Sequence, residues 1–150
     1  MDYAVTLEER TEQPAAVVRG RVTVEEIPGF IGAAFGEVVA ALGAQRLAPA
    51  GPPFGRYRIV EGGFDVEAGF PAPSTVAATG RVEPTVLPGG PVATTTHVGS
   101  YDGVSAAYQA VQEWVEASGY VVAGDPWECY LDGPDVPEPR TLVCFPCRGA

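Results

Sequence analysis

An internal repeat is the feature that most constrains the fold of this 150-residue chain. Residues 33–57 and 106–130 align without a gap at a constant offset of 73, and eight of the 25 aligned positions are identical. A repeat of this length indicates that one supersecondary unit was duplicated, because a single copy cannot bury its apolar face alone. The identical pairs are Ala33/Ala106, Ala34/Ala107, Val38/Val111, Ala44/Ala117, Ala50/Ala123, Gly51/Gly124, Pro53/Pro126 and Tyr57/Tyr130.

The two copies differ most at one chemically important position. Where the first copy has Gly55, the second has Glu128, an acid between Trp127 and Tyr130. Two further positions exchange one aromatic residue for another, Phe35 for Tyr108 and Phe54 for Trp127. The difference predicts that the functional site lies at Glu128.

Composition indicates one globular domain over residues 1–150, built from modules at about 1–73 and 74–150. Apolar residues make up 46% of the chain and charged residues 19%, which is typical of a packed protein. The formal net charge of −10 argues against binding nucleic acid through its phosphates, which requires a basic face. It is compatible with a cationic small-molecule ligand, although such a charge more commonly keeps a protein soluble.

The N-terminus predicts no targeting segment, because MDYAVTLEER has neither a basic start nor an apolar run. We expect no membrane partner, since no stretch approaches about 18 apolar residues. Cys129, Cys144 and Cys147 form an odd set without a disulfide framework, which suits a reducing compartment. The predicted location is therefore cytoplasmic.

Two helices are predicted from apolar residues at helical spacing. A capping box at Thr23 and Glu26 begins the first, and Gly43 is expected to end it. Ser100 is the predicted N-cap of the second, which Gly119 ends. The apolar stripes are Ile27, Ile31, Ala34, Phe35, Val38 and Leu42 in the first helix, and Tyr101, Val104, Tyr108, Val111 and Val115 in the second.

Strands are predicted between the glycine- and proline-rich turns. They are expected over residues 3–9, 15–22, 54–61, 64–71, 76–86, 91–97, 127–131 and 140–146. The predicted fold class is α+β, with two pseudo-symmetric βαββ modules forming an antiparallel sheet with the helices on one face. A ligand cleft is expected at the seam of the two modules.

Strand alternation places Glu128 and Tyr130 on one face and Trp127 on the other. Gly55 and Tyr57 share the corresponding face in the first module, and Gly55 is expected to leave open volume opposite the acid. Aromatic rings around a carboxylate suit a large, flat cation, since each cation–π contact contributes about 0.5–2 kcal/mol. Burial would raise the pKa of Glu128. The alternative is an exposed glutamate on an edge strand.

Five segments resemble GyrI-like small-molecule-binding domains, the effector-binding parts of multidrug-responsive regulators of the MerR and AraC type. They are GPPF at 51–54 with Tyr57, DVEAGFP at 65–71, LPGG at 87–90, HVGSY at 97–101 with Tyr108, and DPWECYL at 125–131. The resemblance covers nearly the whole chain. It implies a stand-alone domain that sequesters or senses amphipathic aromatic, often cationic, compounds.

By this resemblance Glu128 is the acid at the bottom of an aromatic pocket. The residues predicted to line the pocket with it are Tyr101, Tyr130, Tyr57, Phe54, Trp127, Tyr108 and Phe145. Tyr101 and Tyr108 could instead be plain core residues of the second helix. Ser100 departs from the proline that often precedes the tyrosine in the family.

The resemblance also implies two other functions. Some relatives resemble hydrolases that open strained cyclopropane rings, in which Glu128 would activate water and Tyr101 would hydrogen-bond the substrate carbonyl. The family name further suggests inhibition of DNA gyrase through a protein contact, which would require a protein partner.

No cofactor or metal is predicted. A lone histidine, His97, could bind haem as relatives of this fold do, but it is more commonly a structural group. Cys144 and Cys147 have the spacing of a redox pair but lack a following helix to lower the thiol pKa. A zinc site would require His97 and Cys129 as further ligands, a strained arrangement.

Overall fold

A computed structural model describes residues 3–133 and 135–150, which form two compact units. The first unit comprises residues 12–87, and the second comprises residues 88–150 with the N-terminal segment up to Thr11. The strands are β1 (Thr6–Arg10), β2 (Gln13–Val22), β3 (Phe54–Val60), β4 (Gly63–Pro71), β5 (Val82–Leu87), β6 (Gly90–Val98), β7 (Tyr120–Val122), β8 (Trp127–Tyr130) and β9 (Arg140–Gly149). The helices are α1 (Ile27–Ala44) and α2 (Val104–Ala117), which follow 3-10 turns at Val24–Glu26 and Tyr101–Gly103.

In the first unit, four antiparallel strands in the order β3-β4-β2-β5 pack against α1. The predicted capping box is present, since the Thr23 backbone N–H donates to the Glu26 carboxylate at 2.8 Å. Alternate residues of β2 and β4 face the helix and form a core with its buried stripe. Its fully buried members include Ala16, Val18, Ala34, Val38, Leu42, Val66 and Ala68.

The second unit repeats this arrangement, with antiparallel strands in the order β1-β6-β9-β8 and α2 against them. The short strand β7 pairs with the end of β9 and was not predicted from the sequence. Ser100 caps the 3-10 turn that leads into α2, and its hydroxyl accepts from the Asp102 backbone N–H at 3.2 Å, whereas the N-cap of α2 itself is Gly103. The core here includes Ala93, Ala107, Val111, Val115, Val143 and Phe145.

The α+β class with two βαββ modules is confirmed. Strand for strand, β2-α1-β3-β4 in the first unit corresponds to β6-α2-β8-β9 in the second. Each unit has one additional outer strand: β5 pairs with β2, and β1 pairs with β6. The outer strand of the second unit, β1, therefore comes from the N-terminal segment of the chain. A boundary between the modules at about residue 73 would have assigned this strand to the first module.

Several predicted boundaries are wrong for local reasons. The strand expected over residues 76–86 is only β5, because Thr79 and Val82 form a turn in which Gly80 has a φ of 57°. Gly43 does not end α1, which continues to Ala44, and Arg46 takes the left-handed conformation with a φ of 60°. Gly119 follows α2 as predicted, with a φ of 80°.

The expectation that no segment has the length and apolarity of a membrane span is wrong. Val24–Ala44, 21 residues that include α1, is long and apolar enough to meet that criterion. Core helices of water-soluble proteins meet it too, and α1 buries Ala34, Val38, Ala41 and Leu42 in the first unit.

Candidate functional site

Glu128 lies on the face of the second unit's sheet that packs against α2. It pairs directly with Val143 of β9, and Val143 belongs to the core beneath α2. Directly paired residues project to the same face, so the Glu128 side chain points into the unit. Only 9% of Glu128 is exposed. The alternative of a solvent-exposed glutamate is therefore wrong.

Two tyrosine hydroxyls contact this carboxylate. Tyr108 of α2 donates its hydroxyl hydrogen to Glu128 Oε2 at 2.5 Å, and Tyr130 of β8 also hydrogen-bonds the Glu128 side chain. The Tyr108 ring packs edge-on against Phe145, with ring centroids 5.6 Å apart. Helix and sheet thus hold the carboxylate from both sides.

Burial raises the pKa of Glu128 above its ordinary value. The hydrogen bonds from Tyr108 and Tyr130 lower this pKa, as does the charge of His97, but burial has the larger effect. Within residues 3–133 and 135–150, no arginine or histidine forms an ion pair with Glu128. Among the described residues, this buried acid therefore has no ion-pair partner.

Tyr101 is at the solvent side of this cluster. It begins the 3-10 turn before α2, and its ring meets Tyr130 edge-on at 5.9 Å with an interplanar angle of 85°. Tyr101 is 39% exposed. Burial raises the pKa of its hydroxyl, and the negative charges of Glu128 and Asp132 raise it further.

His97 is fully engaged in hydrogen bonds within the second unit. Its Nε2 lies 2.7 Å from the Ser100 carbonyl oxygen, and its Nδ1 lies 2.9 Å from the Tyr3 hydroxyl. Because a carbonyl can only accept, Nε2–H donates to Ser100, and Nδ1 shares its hydrogen bond with the Tyr3 hydroxyl. A metal or haem iron would have to displace one of these partners.

The corresponding place in the first unit lacks the acid, and a ring fills it. A Cβ atom built on Gly55 would lie 2.8 Å from the Tyr57 hydroxyl and 3.0 Å from the Tyr57 ring. The expectation of open volume beside Gly55 is therefore wrong. Tyr57 also packs edge-on against Phe64, and Phe54 is buried in the same unit.

The other predicted chemistry finds little support in the geometry. Trp127 pairs with Cys144 and faces away from Glu128. Cys144 and Cys147 are three residues apart in one continuous strand, so their thiols project from opposite faces. Within the described residues, no group of three or more potential metal ligands is present.

Sequence reasoning missed two features of the site. One is the Tyr108–Glu128 hydrogen bond, for which a signal existed: Tyr108 and Glu128 replace Phe35 and Gly55 together in the second repeat. The other is Thr141, a buried residue directly opposite Tyr130. No sequence motif marks it.

A comparison with models of known protein families identifies the family to which the chain belongs. A model of the GyrI-like small-molecule-binding domain matches residues 3–148. The chain belongs to the GyrI-like family. No curated protein matches it.

Solved structures similar to this GyrI-like domain include the C-terminal domain of EcmrR, with a TM-score of 0.81, 28% identity and full coverage of both chains. EcmrR in a DNA complex is similar over 99% of this chain at a TM-score of 0.82 and 24% identity, and this chain spans 58% of that longer one. A hydrolase from Listeria innocua has a TM-score of 0.70 and 12% identity over 96% of this chain and 91% of its own. SAV2435 bound to tetraphenylphosphonium has a TM-score of 0.64 and 12% identity over 99% and 95%.

Proposed function

We propose that this GyrI-like domain binds amphipathic aromatic cations, with Glu128 as the counter-charge and Tyr101, Tyr108 and Tyr130 as aromatic contacts. Sequestration or sensing of such compounds follows from binding alone and requires no cofactor. The proposal rests on one observation: Glu128 is buried, and it forms no ion pair with any described residue.

A cation would relieve the electrostatic cost of this arrangement. A buried carboxylate is unfavourable when ionised unless a positive charge or hydrogen bonds compensate it. Tyr108 and Tyr130 supply hydrogen bonds but no charge. A cation beside Glu128 would supply that charge, and the tyrosine faces would add about 0.5–2 kcal/mol each. The tetraphenylphosphonium complex of SAV2435, a protein of similar fold, is consistent with this ligand class.

Binding of tetraphenylphosphonium, measured by isothermal titration calorimetry, tests the proposal. Glu128→Gln should weaken binding roughly 10- to 100-fold, the range expected when a charged partner is lost. Glu113→Gln is the matched control, because Glu113 is an exposed acid of α2 in the same unit. Equal affinity of the wild type and Glu128→Gln would refute the assignment of Glu128.

The affinity should also depend on pH in a defined direction. A cation binds the ionised carboxylate, and the pKa of Glu128 is raised by burial. Affinity for tetraphenylphosphonium, whose charge is independent of pH, should therefore rise with pH through that raised pKa and then level off. Glu128→Gln should abolish the dependence. A wild-type affinity that is flat from pH 4 to 9 would contradict the mechanism.

Hydrolysis of a strained electrophile is a second candidate, favoured by the raised pKa of Glu128. A general base works best when its pKa is near the working pH, and such catalysis is typically worth about 10²–10⁴-fold. Glu128 would take a proton from water while the water oxygen bonds a cyclopropane carbon. The breaking ring bond would send its electron pair to the conjugated carbonyl oxygen, which Tyr101 would hydrogen-bond.

A cyclopropyl-pyrroloindole substrate distinguishes this candidate from binding alone. An enzyme would consume it catalytically and yield a product heavier by one water, and Glu128→Gln should slow turnover at least about 100-fold. Stoichiometric protection without a water adduct would leave binding as the function.

We also propose a cytoplasmic location. The cysteines Cys129, Cys144 and Cys147 are all free, as expected in a reducing compartment.

A further inference from the structure

Thr141 lies in the middle of the polar groups around Glu128. It pairs directly with His97 on one side and with Tyr130 on the other, so the three side chains form a row across β6, β9 and β8. Glu128 precedes Tyr130 by two residues and projects to the same face. Thr141 and Glu128 are thus diagonal neighbours on adjacent strands, a position from which long side chains can reach each other.

The Thr141 hydroxyl has no hydrogen-bond partner within the described part of the chain, residues 3–133 and 135–150. Thr141 is 0% exposed, so bulk water does not solvate this hydroxyl either. Leaving a buried hydroxyl unsatisfied is unfavourable, because its hydrogen bonds to water are lost and not replaced. Native proteins seldom retain such a group unless an ordered water or a ligand completes it.

A second buried threonine on the same face does have a hydrogen-bond partner. Thr95 lies in the neighbouring row, opposite Val143, and it is 3% exposed. Its hydroxyl donates to the Ala4 carbonyl oxygen at 2.7 Å. Thr95 and Thr141 are both buried on the same face of neighbouring strands, but only the Thr95 hydroxyl has a hydrogen-bond partner among the described residues.

The free hydrogen-bonding capacity beside Glu128 consists mainly of acceptors. An ionised carboxylate can accept about four hydrogen bonds, and Tyr108 and Tyr130 supply two. The Thr141 hydroxyl can accept two and donate one. A ligand atom that bears N–H groups would satisfy Glu128 and Thr141 together, whereas a fully alkylated cation would leave Thr141 unsatisfied.

We propose that Thr141 is a specificity-determining residue that, together with Glu128, selects protonated amines over permanently alkylated cations. The inference rests on the proposed function and narrows its ligand class. One N–H group of the amine would donate to the Glu128 carboxylate and a second would donate to the Thr141 hydroxyl.

A matched pair of ligands tests this inference. The probes are protonated naphthalen-2-ylmethylamine and its N-trimethylated quaternary counterpart, which share the ring and the charge but differ in three N–H groups. Wild-type protein should bind the amine more tightly. Thr141→Val should weaken amine binding about 5- to 10-fold, the effect of one hydrogen bond, and quaternary binding less than about twofold.

Thr95→Val is the control for folding. It removes a hydrogen bond that is present, so its melting temperature should fall, while that of Thr141→Val should stay the same or rise. The inference would be overturned if the melting temperature of Thr141→Val fell as much as that of Thr95→Val. It would also be overturned if Thr141→Val changed the affinities for both probes equally.

The outcomes also separate this inference from the proposed function. If neither probe binds, or if Glu128→Gln leaves both affinities unchanged, the proposed function fails. If Glu128→Gln weakens both probes but Thr141→Val does not discriminate between them, only the role of Thr141 fails.

Discussion

Each unit has a pair of aromatic rings packed between its helix and its sheet, but only the pair in the second unit has a hydroxyl group that bonds a carboxylate. In the first unit Phe35 of α1 meets Phe70 of β4 edge-on, with centroids 5.5 Å apart and an interplanar angle of 62°. In the second unit Tyr108 of α2 meets Phe145 of β9 at 5.6 Å and 69°. The packing is nearly the same, so the difference lies in added polar atoms.

The Tyr108 hydroxyl and the Glu128 carboxylate occur together in the second unit, and both are missing at Phe35 and Gly55 in the first. Each polar group would be costly in a buried position without the other. The comparison therefore shows that the same ring packing between helix and sheet forms in the first unit without either polar group. The space at Gly55 is closed in the first unit because the Tyr57 ring lies over it.

The largest effect is expected from copying the acid into the first unit. Gly55→Glu should destabilise the protein by about 2–4 kcal/mol, because the new side chain displaces the Tyr57 ring and brings an unpaired carboxylate into its place. Chemical denaturation measures the change. Gly36→Ala is the control: a Cβ there meets nothing within 4 Å, and alanine should stabilise the helix by about 0.5–1 kcal/mol. If the free energy of unfolding of Gly55→Glu equals that of the wild type within experimental error, the Tyr57 ring does not prevent the first unit from accepting an acid at this position.

A smaller effect is expected from making the second unit resemble the first. Tyr108→Phe should cost about 1–2 kcal/mol, because it removes the hydrogen bond to the Glu128 carboxyl group. A double-mutant cycle with Glu128→Gln isolates this bond from the other contacts of Tyr108. A coupling energy near zero would show that the two side chains do not stabilise each other.

The pH dependence of stability sharpens the same comparison. The folded-state pKa of Glu128 is raised, so the folded protein binds more protons than the unfolded chain above about pH 4.3, where unfolded glutamate ionises. The stability contribution of protonated Glu128 is therefore present below that pH and is lost as pH rises through the raised pKa. Tyr108→Phe should extend the loss to higher pH, since the hydrogen bond lowers the pKa. Glu128→Gln should remove this component, and an unchanged profile in that variant would contradict the assignment.

The smallest effects concern the two helix ends. Gly119 follows α2 with a φ of 80°, whereas Arg46 follows α1 with a φ of 60°. Gly119→Ala should therefore destabilise by about 1 kcal/mol, and Arg46→Gly should stabilise by up to about 1 kcal/mol. Thermal unfolding measures both. If the melting temperature changed in the same direction in both variants, the left-handed backbone conformation would not explain the effects.

Much of the fold could be predicted because its causes are local. The capping box at Thr23 and Glu26 and the turn at Gly119 depend on residues a few positions apart, and both form as expected. Gly43 misled the prediction because the hydrogen bonds that close α1 come from residues beyond it: the Arg46 N–H donates to the Gly43 carbonyl, and the Leu47 N–H donates to the Leu42 carbonyl. The strand β7 was missed because it has only three residues and exists through its pairing with β9.

The candidate site was predictable only in part. Alternation along β8 predicts that Glu128 and Tyr130 share a face, and the structure brings their side chains together. The donation from Tyr108 joins residues 20 positions apart, and the row from His97 through Thr141 depends on the register of three strands. Neither follows from any single segment.

The sequence by itself determined the duplicated βαββ plan, the face that each strand buries and the position of one acid that the first copy lacks. Those features follow from periodicity and identity along the chain, which are local properties. Only the tertiary structure decided which outer strand completes each unit, that Tyr57 fills the space at Gly55, and that Glu128 and Thr141 are buried with unfilled acceptors. These features depend on contacts between residues far apart in the sequence, which no short-range pattern specifies.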